Sequence, residues 1–322
     1  MEKNIFKDRA SLLADVAEMY YIEEKNQAAI AKTIGVTRSM ISRMLTEARE
    51  SGIVEIRIQR PLQSDSDLES ELKEKFGLKD VFVVATNHRS AERLTRTLGN
   101  AGAQMLARYL APQRILGLAW GTSISATVDA FEMKEAMPVK VVQLVGAMGA
   151  RNMEYDGHDL VTRITEKLGG EAYYLNAPYL CQSAEVARSL LETKSIRETI
   201  SIGKKADVAL LGIGTTSPEY SSFYLAGYVT RRELDDLRKA GGIGDVCGLH
   251  FNINGQPACE DFCERLVSIR KTDLLGIPVR LGVAGGEGKV DAILGALRSK
   301  YVNVLVIDSI TARKLIDLAK SK

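Results

Sequence analysis

The sequence predicts an α/β protein: a mainly parallel, doubly wound (Rossmann-like) sheet domain, preceded by a small winged helix-turn-helix domain. Three observations carry this. From Val81 onward, short continuous apolar runs alternate with amphipathic stretches of helical period, the pattern of strands covered on both faces by crossover helices. Before that, three helical segments follow one another, the last two separated by a tight turn at Gly35. Between the regions lies PLQSDS, residues 61–66, polar and without periodicity, which divides the chain into domains 1–60 and 61–322.

In the first domain, 8–24 reads as a helix with Leu12, Leu13, Val16, Met19 and Tyr20 inward. A short helix over 27–34 sets Ala28, Ile30, Ala31 and Ile34 as its small and apolar positions, and Gly35 suits its C-terminus because glycine adopts the left-handed conformation without a Cβ clash. Thr37 is placed to cap the next helix, which is expected to bury Met40, Ile41, Met44, Leu45 and Ala48. The opposite face offers Arg38, Ser39, Ser42, Arg43 and Arg49. Two helices joined by a tight turn, the second presenting Arg and Ser near its N-terminus, describe a helix-turn-helix. Residues 53–58 alternate at Val54, Ile56 and Ile58, a half-buried strand expected to form a wing with Arg57 outward.

Charge agrees with this assignment. From Lys25 to Arg60 seven basic residues face three acidic ones, a local 7 − 3 = +4, whereas the whole chain of 322 residues is only +2. The excess sits where phosphates of duplex DNA would lie. Gln27, Lys32, Thr37, Arg38, Ser39, Ser42, Arg43 and Arg49 are the candidate DNA contacts.

In the second domain, Ser66 with Glu69 reads as a capping box opening a helix, and strands are expected over 81–85, 114–120, 140–146, 172–175, 208–214, 246–252, 279–284 and 303–308. Helices fill 90–110, 123–131, 159–168, 231–240, 289–299 and 311–319, and Asn254-Gly255 signals an antiparallel hairpin. His158 and Asp159 open one of these helices, where capping is the expected role.

Ligands of such sheets bind beyond the C-terminal strand ends, near helix N-termini. Three strand ends are rich in Gly and hydroxyls: 120–125 (WGTSIS), 212–216 (GIGTT) and 282–289 (GVAGGEGK). Lys289 would add a cation suited to a phosphate oxyanion. Lys289 is followed by Val290 and misses GxxxxGK[ST], so no NTP-hydrolysing P-loop is read, and no intact GxGxxG stands at the first strand, so no dinucleotide is either.

Apolar residues make up 45% and charged residues 26%, ordinary for a globular protein. No apolar run approaches the roughly 18 residues of a membrane span, and MEKNIFKDRA lacks a signal core, so a cytoplasmic protein without membrane partners is expected. Cys181, Cys247, Cys259 and Cys263 show no zinc-like spacing and read as reduced, mostly buried thiols; no metal or cofactor is expected.

These residues also carry a family resemblance. Tyr20-Tyr21, Gln27, Ile30-Ala31, Thr37-Arg38-Ser39, Ile41-Ser42-Arg43, Leu45, Ala48-Arg49 and Gly52-Ile53-Val54 resemble the N-terminal domain of the SorC family of bacterial sugar-responsive transcription regulators. Trp120-Gly121-Thr122-Ser123, the segments 141–146 and 207–214, Gly244-Asp245-Val246 and Ala284-Gly285-Gly286 with Lys289 extend the resemblance over nearly the full length. It implies an effector domain similar in fold to sugar-phosphate isomerases and deaminases, a phosphorylated sugar as effector, operator DNA of a carbohydrate catabolic operon as partner, and a homo-oligomer, dimer or tetramer. It places the phosphate near Gly121, Thr122, Ser123 and Lys289 and offers Asp245 to a sugar hydroxyl. Gly214, His250, Gly285 and Gly286 complete the candidate effector site. The chain departs from the common family pattern at Ser123, where many members have Thr, and at Gly146-Ala147, where many have Gly-Gly. The alternative class, a sugar-phosphate isomerase or deaminase with an accessory DNA-binding module, needs a positioned acid and base. The histidines are only His88, His158 and His250, with no nucleophile–base pair among the motifs, so no catalytic residue is expected.

Overall fold

The computed structural model describes residues 8–55, 62–86, 90–133, 135–149 and 155–321. The chain divides into two compact units, Met1–Pro61 and Leu62–Lys322.

The first unit holds α1 (Arg9–Tyr21), α2 (Gln27–Ile34) and α3 (Arg38–Glu50). Each helix starts on a side-chain cap. Asp8 accepts from the Ala10 and Ser11 amides, Asn26 from Ala29, and Thr37 from Met40. Gly35 ends α2 at φ 80°, and its amide donates to the Ala31 carbonyl. Leu13, Val16 and Ala17 of α1, Ile30 and Ala31 of α2, and Ile41, Met44, Leu45 and Ala48 of α3 form one buried core. Two expectations fail here, the burial of Met40 and a strand starting at Ile53. Met40 is 46% exposed, because it stands one residue, about 100° of helical turn, outside the Ile41–Met44–Leu45–Ala48 stripe. Ala28 is exposed as well. Ile53, Val54 and Glu55 form no strand; the rest of the expected wing, Ile56 to Ile58 with Arg57, lies outside the described residues, as do Arg60 and His88.

The second unit runs α4 (Ser66–Phe76), β1 (Asp80–Val84), α5 (Ala91–Tyr109), β2 (Ile115–Leu118), α6 (Thr122–Ala130), β3 (Lys140–Gln143), α7 (Gly157–Leu168), β4 (Glu171–Tyr173), α8 (Ala184–Glu192), α9 (Lys194–Gly203), β5 (Val208–Gly212) and β6 (Gly214–Thr215). It continues through α10 (Ser222–Leu225), α11 (Arg231–Lys239), β7 (Gly244–Val246), β8 (Leu249–Phe251), α12 (Glu260–Cys263), α13 (Lys271–Gly276), β9 (Val279–Val283), α14 (Val290–Arg298), β10 (Val304–Asp308) and α15 (Ser309–Ser321).

Seven strands form a parallel sheet in the order β1-β10-β9-β5-β2-β3-β4. Successive strand residues serve opposite faces. Val208, Leu210, Leu281 and Val306 join the core with α5, α6 and α7, while Ala209, Leu211, Leu305 and Ile307 join the core with α4, α14 and α15. From β2 the chain steps outward to β3 and β4, then returns to β5 on the other side of β2 and proceeds to β9 and β10. The connections therefore diverge between β2 and β5, the switch point where such sheets open a crevice at the strand C-termini.

A second, antiparallel sheet, β6-β7-β8, grows from the end of β5. The strand expected over 246–252 is in fact two, broken at Cys247-Gly248, where both residues have positive φ (54° and 77°). Asn254-Gly255 makes a smaller return, closed by the Phe251–Pro257 bridge. The expected capping box at Ser66 is also replaced. Asp65 caps α4 by accepting from the Leu68 amide, and Glu69 instead accepts from the Val83 amide of β1 at 3.0 Å. Likewise Asp156, rather than His158 or Asp159, caps α7. Helices α8 and α9, not anticipated, cover a small satellite core around Leu175, Cys181 and Val267.

Candidate functional site

In the first unit the outward side of α3 carries Arg38, Ser39, Ser42, Arg43 and Arg49, all exposed. The Thr37 hydroxyl, besides capping α3, lies 3.0 Å from the Ser39 hydroxyl. Arg49 reaches Thr46 at 3.4 Å, and Lys32 is exposed on α2. The carboxylate of Glu47 is held by Arg9 of α1, a hydrogen-bonded pair that lowers the Glu47 pKa and raises that of Arg9. One of the two acidic groups of α3 is thereby paired within the unit. Gln27 is half-buried at the first turn of α2.

In the second unit the switch point opens into a cleft of about 740 Å³, counting the part that opens to solvent. Its lining brings together Gly121, Thr122, Ser123, Gly214, Asp245, His250 and Lys289 from five separate stretches of the chain. Gly285 and Gly286 do not line it. Their glycine signature has another cause: the Gly286 amide donates to Asp308 Oδ2 at 3.0 Å and to Thr311 Oγ1 at 2.8 Å, and a Cβ on Gly285 would stand 2.4 Å from the same carboxylate oxygen.

Three features define the cleft. The first is the start of α6. Helix geometry leaves its first amides without intrahelical acceptors, and Gly121 at the cap, with φ 131°, brings no side chain to take them. The Thr122 and Ser123 hydroxyls stand at the same lip. The far end of α6 is braced by Lys167, whose Nζ donates to the Val128 and Asp129 carbonyls at 2.8 and 2.7 Å.

The second feature is a row across the antiparallel sheet. Register sets Gly214 opposite Asp245 and Asp245 opposite His250. Gly214 is required by this arrangement, because a Cβ there would lie 2.1 Å from Asp245 Oδ1. The other carboxylate oxygen accepts from the Gly248 amide at 2.9 Å. His250 is 4% exposed, with Nδ1 donating to the Gly248 carbonyl at 2.9 Å.

The third is Lys289, which ends a single 3-10 turn, Glu287–Lys289. Its Nζ donates to the Ile213 carbonyl at 3.1 Å. Burial lowers its pKa from the ordinary lysine value, and the Asp245 charge opposes that shift. The same burial, with Asp245 as a further cause, raises the Tyr179 phenol and the Cys247 thiol nearby, so both stay protonated at neutral pH.

Sequence reasoning missed the aromatic wall. Trp120, Tyr179 and Phe223 meet edge-on or tilted, with centroids 5.4–6.2 Å apart, along one side of the cleft. Tyr179 lies in a loop without periodicity and had no local pattern to mark it, whereas Phe223 stands in an aromatic cluster with Tyr220 and Tyr224 that reads more readily as core or lid than as a sugar platform. Ser221 and Ser222 also reach the lining unannounced. Among the described residues, no group of three or more His, Cys, Asp or Glu could hold a metal ion.

A three-helix unit with a cationic second turn helix, joined to a parallel α/β unit with a polar cleft at its switch point, defines a ligand-responsive transcription regulator. Residues 60–317 match the Sugar-bind family model, which describes a sugar-binding domain. The deoxyribonucleoside regulator of Bacillus subtilis is 31% identical over 311 residues, covering 97% of this chain and 99% of its own. The sorbitol operon regulator of Klebsiella pneumoniae is 30% identical over 311 residues, covering 96% and 98%. The crystal structure of full-length SorC from the same organism superposes with a TM-score of 0.73, covering 96% of this chain and 100% of that one at 31% identity. The chain belongs to the SorC family of sugar-responsive transcriptional regulators.

Proposed function

We propose that the protein binds the operator of a carbohydrate catabolic operon through α3 and releases or retains it according to a phosphorylated sugar held in the cleft. Arg38, Ser39, Ser42 and Arg43 enter the major groove, Lys32 and Arg49 meet phosphates, and Gln27 and Thr37 fix the approach of the helix pair. The phosphate sits on the α6 N-terminus at Gly121, Thr122 and Ser123, with Lys289 as its cation, and Asp245 and His250 take sugar hydroxyls. The observation that carries the effector assignment is the opening of an uncapped nine-residue helix and the half-buried Lys289 into one cleft. Relatives named as a sorbitol operon regulator and a deoxyribonucleoside regulator support a sugar-related effector.

One helix-turn-helix reads a short half-site, so the working form is a homodimer or homotetramer on a palindrome. The effector acts by binding two conformations unequally, with coupling of about 1–3 kcal/mol. The reading as a regulator rather than an enzyme is supported by relatives named as transcriptional regulators. Among the described residues no helix is long and apolar enough to cross a membrane, and the protein acts on DNA in the cytoplasm.

The test has two arms. Thermal-shift screening of the whole protein against hexose and pentose monophosphates identifies a ligand, since binding stabilises by RT ln(1 + [L]/Kd). Gel shift on upstream DNA then follows its effect. Arg43→Ala is expected to weaken DNA binding and leave ligand affinity intact; Lys289→Ala is expected to do the reverse and abolish the ligand's effect on DNA. Steady conversion of a sugar phosphate to product would instead establish an enzyme.

A further inference from the structure

The Gly285-Gly286 turn lies outside the cleft, yet it is the anchor of the residue that reaches in. The Gly286 carbonyl accepts from the Lys289 amide at 3.0 Å, closing the single turn that launches the Lys289 side chain. The Gly286 amide on the other side is gripped by two buried groups, the Asp308 carboxylate and the Thr311 hydroxyl. Asp308 is 2% exposed and Thr311 fully buried. Asp308 ends β10, whose five residues are all buried, and caps α15: Oδ1 accepts from the Thr311 amide at 2.9 Å, and Oδ2 accepts from the Thr311 hydroxyl at 2.6 Å. The side chain of a central strand end is thus spent on the backbone of a neighbouring loop, an arrangement that fixes where the loop stands relative to the sheet.

We propose that Asp308 and Thr311 are positioning residues for the effector's phosphate, acting through Gly286 to hold Lys289 at the cleft. This rests on the assignment of Lys289 as the phosphate's cation. A helix cap needs only one oxygen of Asp308, so the second contact, to Gly286, is the part devoted to the loop. Asn serves as well as Asp at a helix N-cap, so Asp308→Asn keeps an acceptor for the Thr311 amide but turns an amide donor toward Gly286 or its hydroxyl partner. Thr311→Val removes the hydroxyl at nearly constant volume, and Thr311→Ser restores it.

The experiment titrates inorganic phosphate and glucose 6-phosphate into the full-length protein by calorimetry, alongside thermal unfolding. Asp308→Asn and Thr311→Val are expected to weaken phosphate binding five-fold or more, Thr311→Ser to retain most of it, and the double variant Asp308→Asn/Lys289→Ala to bind no worse than Lys289→Ala alone. A lowered unfolding temperature with unchanged phosphate affinity in both Asp308→Asn and Thr311→Val would overturn the proposal while leaving the phosphate assignment standing. Losses that add fully to that of Lys289→Ala would also overturn it, because Asp308 would then not act through Lys289. If Lys289→Ala itself binds phosphate normally, both the assignment and the positioning role fall.

Discussion

At the scale of single residues, Lys289 is the most informative side chain. Its folded pKa is lowered by burial, so the unfolded chain binds the extra proton more readily between that lowered value and the ordinary 10.5. Stability contributed by this group therefore rises with pH through that window and is depressed below it. Urea unfolding of the wild type and of Lys289→Met from pH 7 to pH 10.5 should show the variant's advantage at the low end shrinking as pH rises; a constant difference would mean that the ammonium is not strained by its site. The residue was legible in the sequence because a cation after a glycine-rich strand end is a local signal. Asp308 was not, since its partner lies 22 positions away and is fixed only by the pairing of β9 with β10. The Gly285-Gly286 pair was misjudged for a related reason: glycine admits a carboxylate from inside the protein as readily as a ligand from outside. Met40 was misplaced because periodicity marks the centre of a helical face more sharply than its edge.

At the scale of elements, the helix-turn-helix rests on local chemistry that the sequence displayed openly: Asn26 and Thr37 as caps and Gly35 as the left-handed stop. Replacing Thr37 by Ala should cost about 1 kcal/mol of stability in this unit and weaken DNA binding beyond that loss, because the same residue begins α3, the helix proposed to enter the groove. Replacing Gly35 by Val, at φ 80°, should cost about 1–2 kcal/mol from backbone conformation alone, since nothing lies within 4 Å of its Cβ position. Both are checked by chemical denaturation followed by gel shift at a concentration where each variant is folded. The strand–helix alternation was equally plain, because strands buried on both faces are continuous apolar runs. The division of 246–252 into β7 and β8 was hidden, since the break falls on Cys247, which adopts the left-handed conformation without being glycine. That break turns Asp245 and His250 into cross-strand neighbours and so builds the polar row of the cleft.

At the scale of the whole molecule, the near-neutral total charge hides a cationic stretch from Lys25 to Arg60, whose described arginines on α3 are exposed. DNA affinity should accordingly fall steeply with salt, each neutralised phosphate adding about 0.9 to the slope of log K against log salt. Arg49→Ala is expected to reduce that slope by about two for a dimer, one unit per half-site, with little change in sequence preference; Arg43→Ala should instead relax preference between sequences. Fluorescence anisotropy from 50 to 300 mM salt on matched and scrambled upstream DNA separates the two effects. An unchanged slope in Arg49→Ala would remove it from the backbone contacts.

The pairing of β1 with β10 has a consequence for biogenesis. Asp80 meets Val304, so the first strand of the sheet waits for a partner synthesised 224 residues later. While the ribosome is still extending the chain, the three-helix unit emerges with its whole core in hand, whereas β1 travels as an open ribbon edge with nothing to zip onto. Nonsense lesions that remove β10 would therefore release a molecule with its three-helix core intact yet exposing two raw sheet margins, a natural target for chaperones and proteolysis.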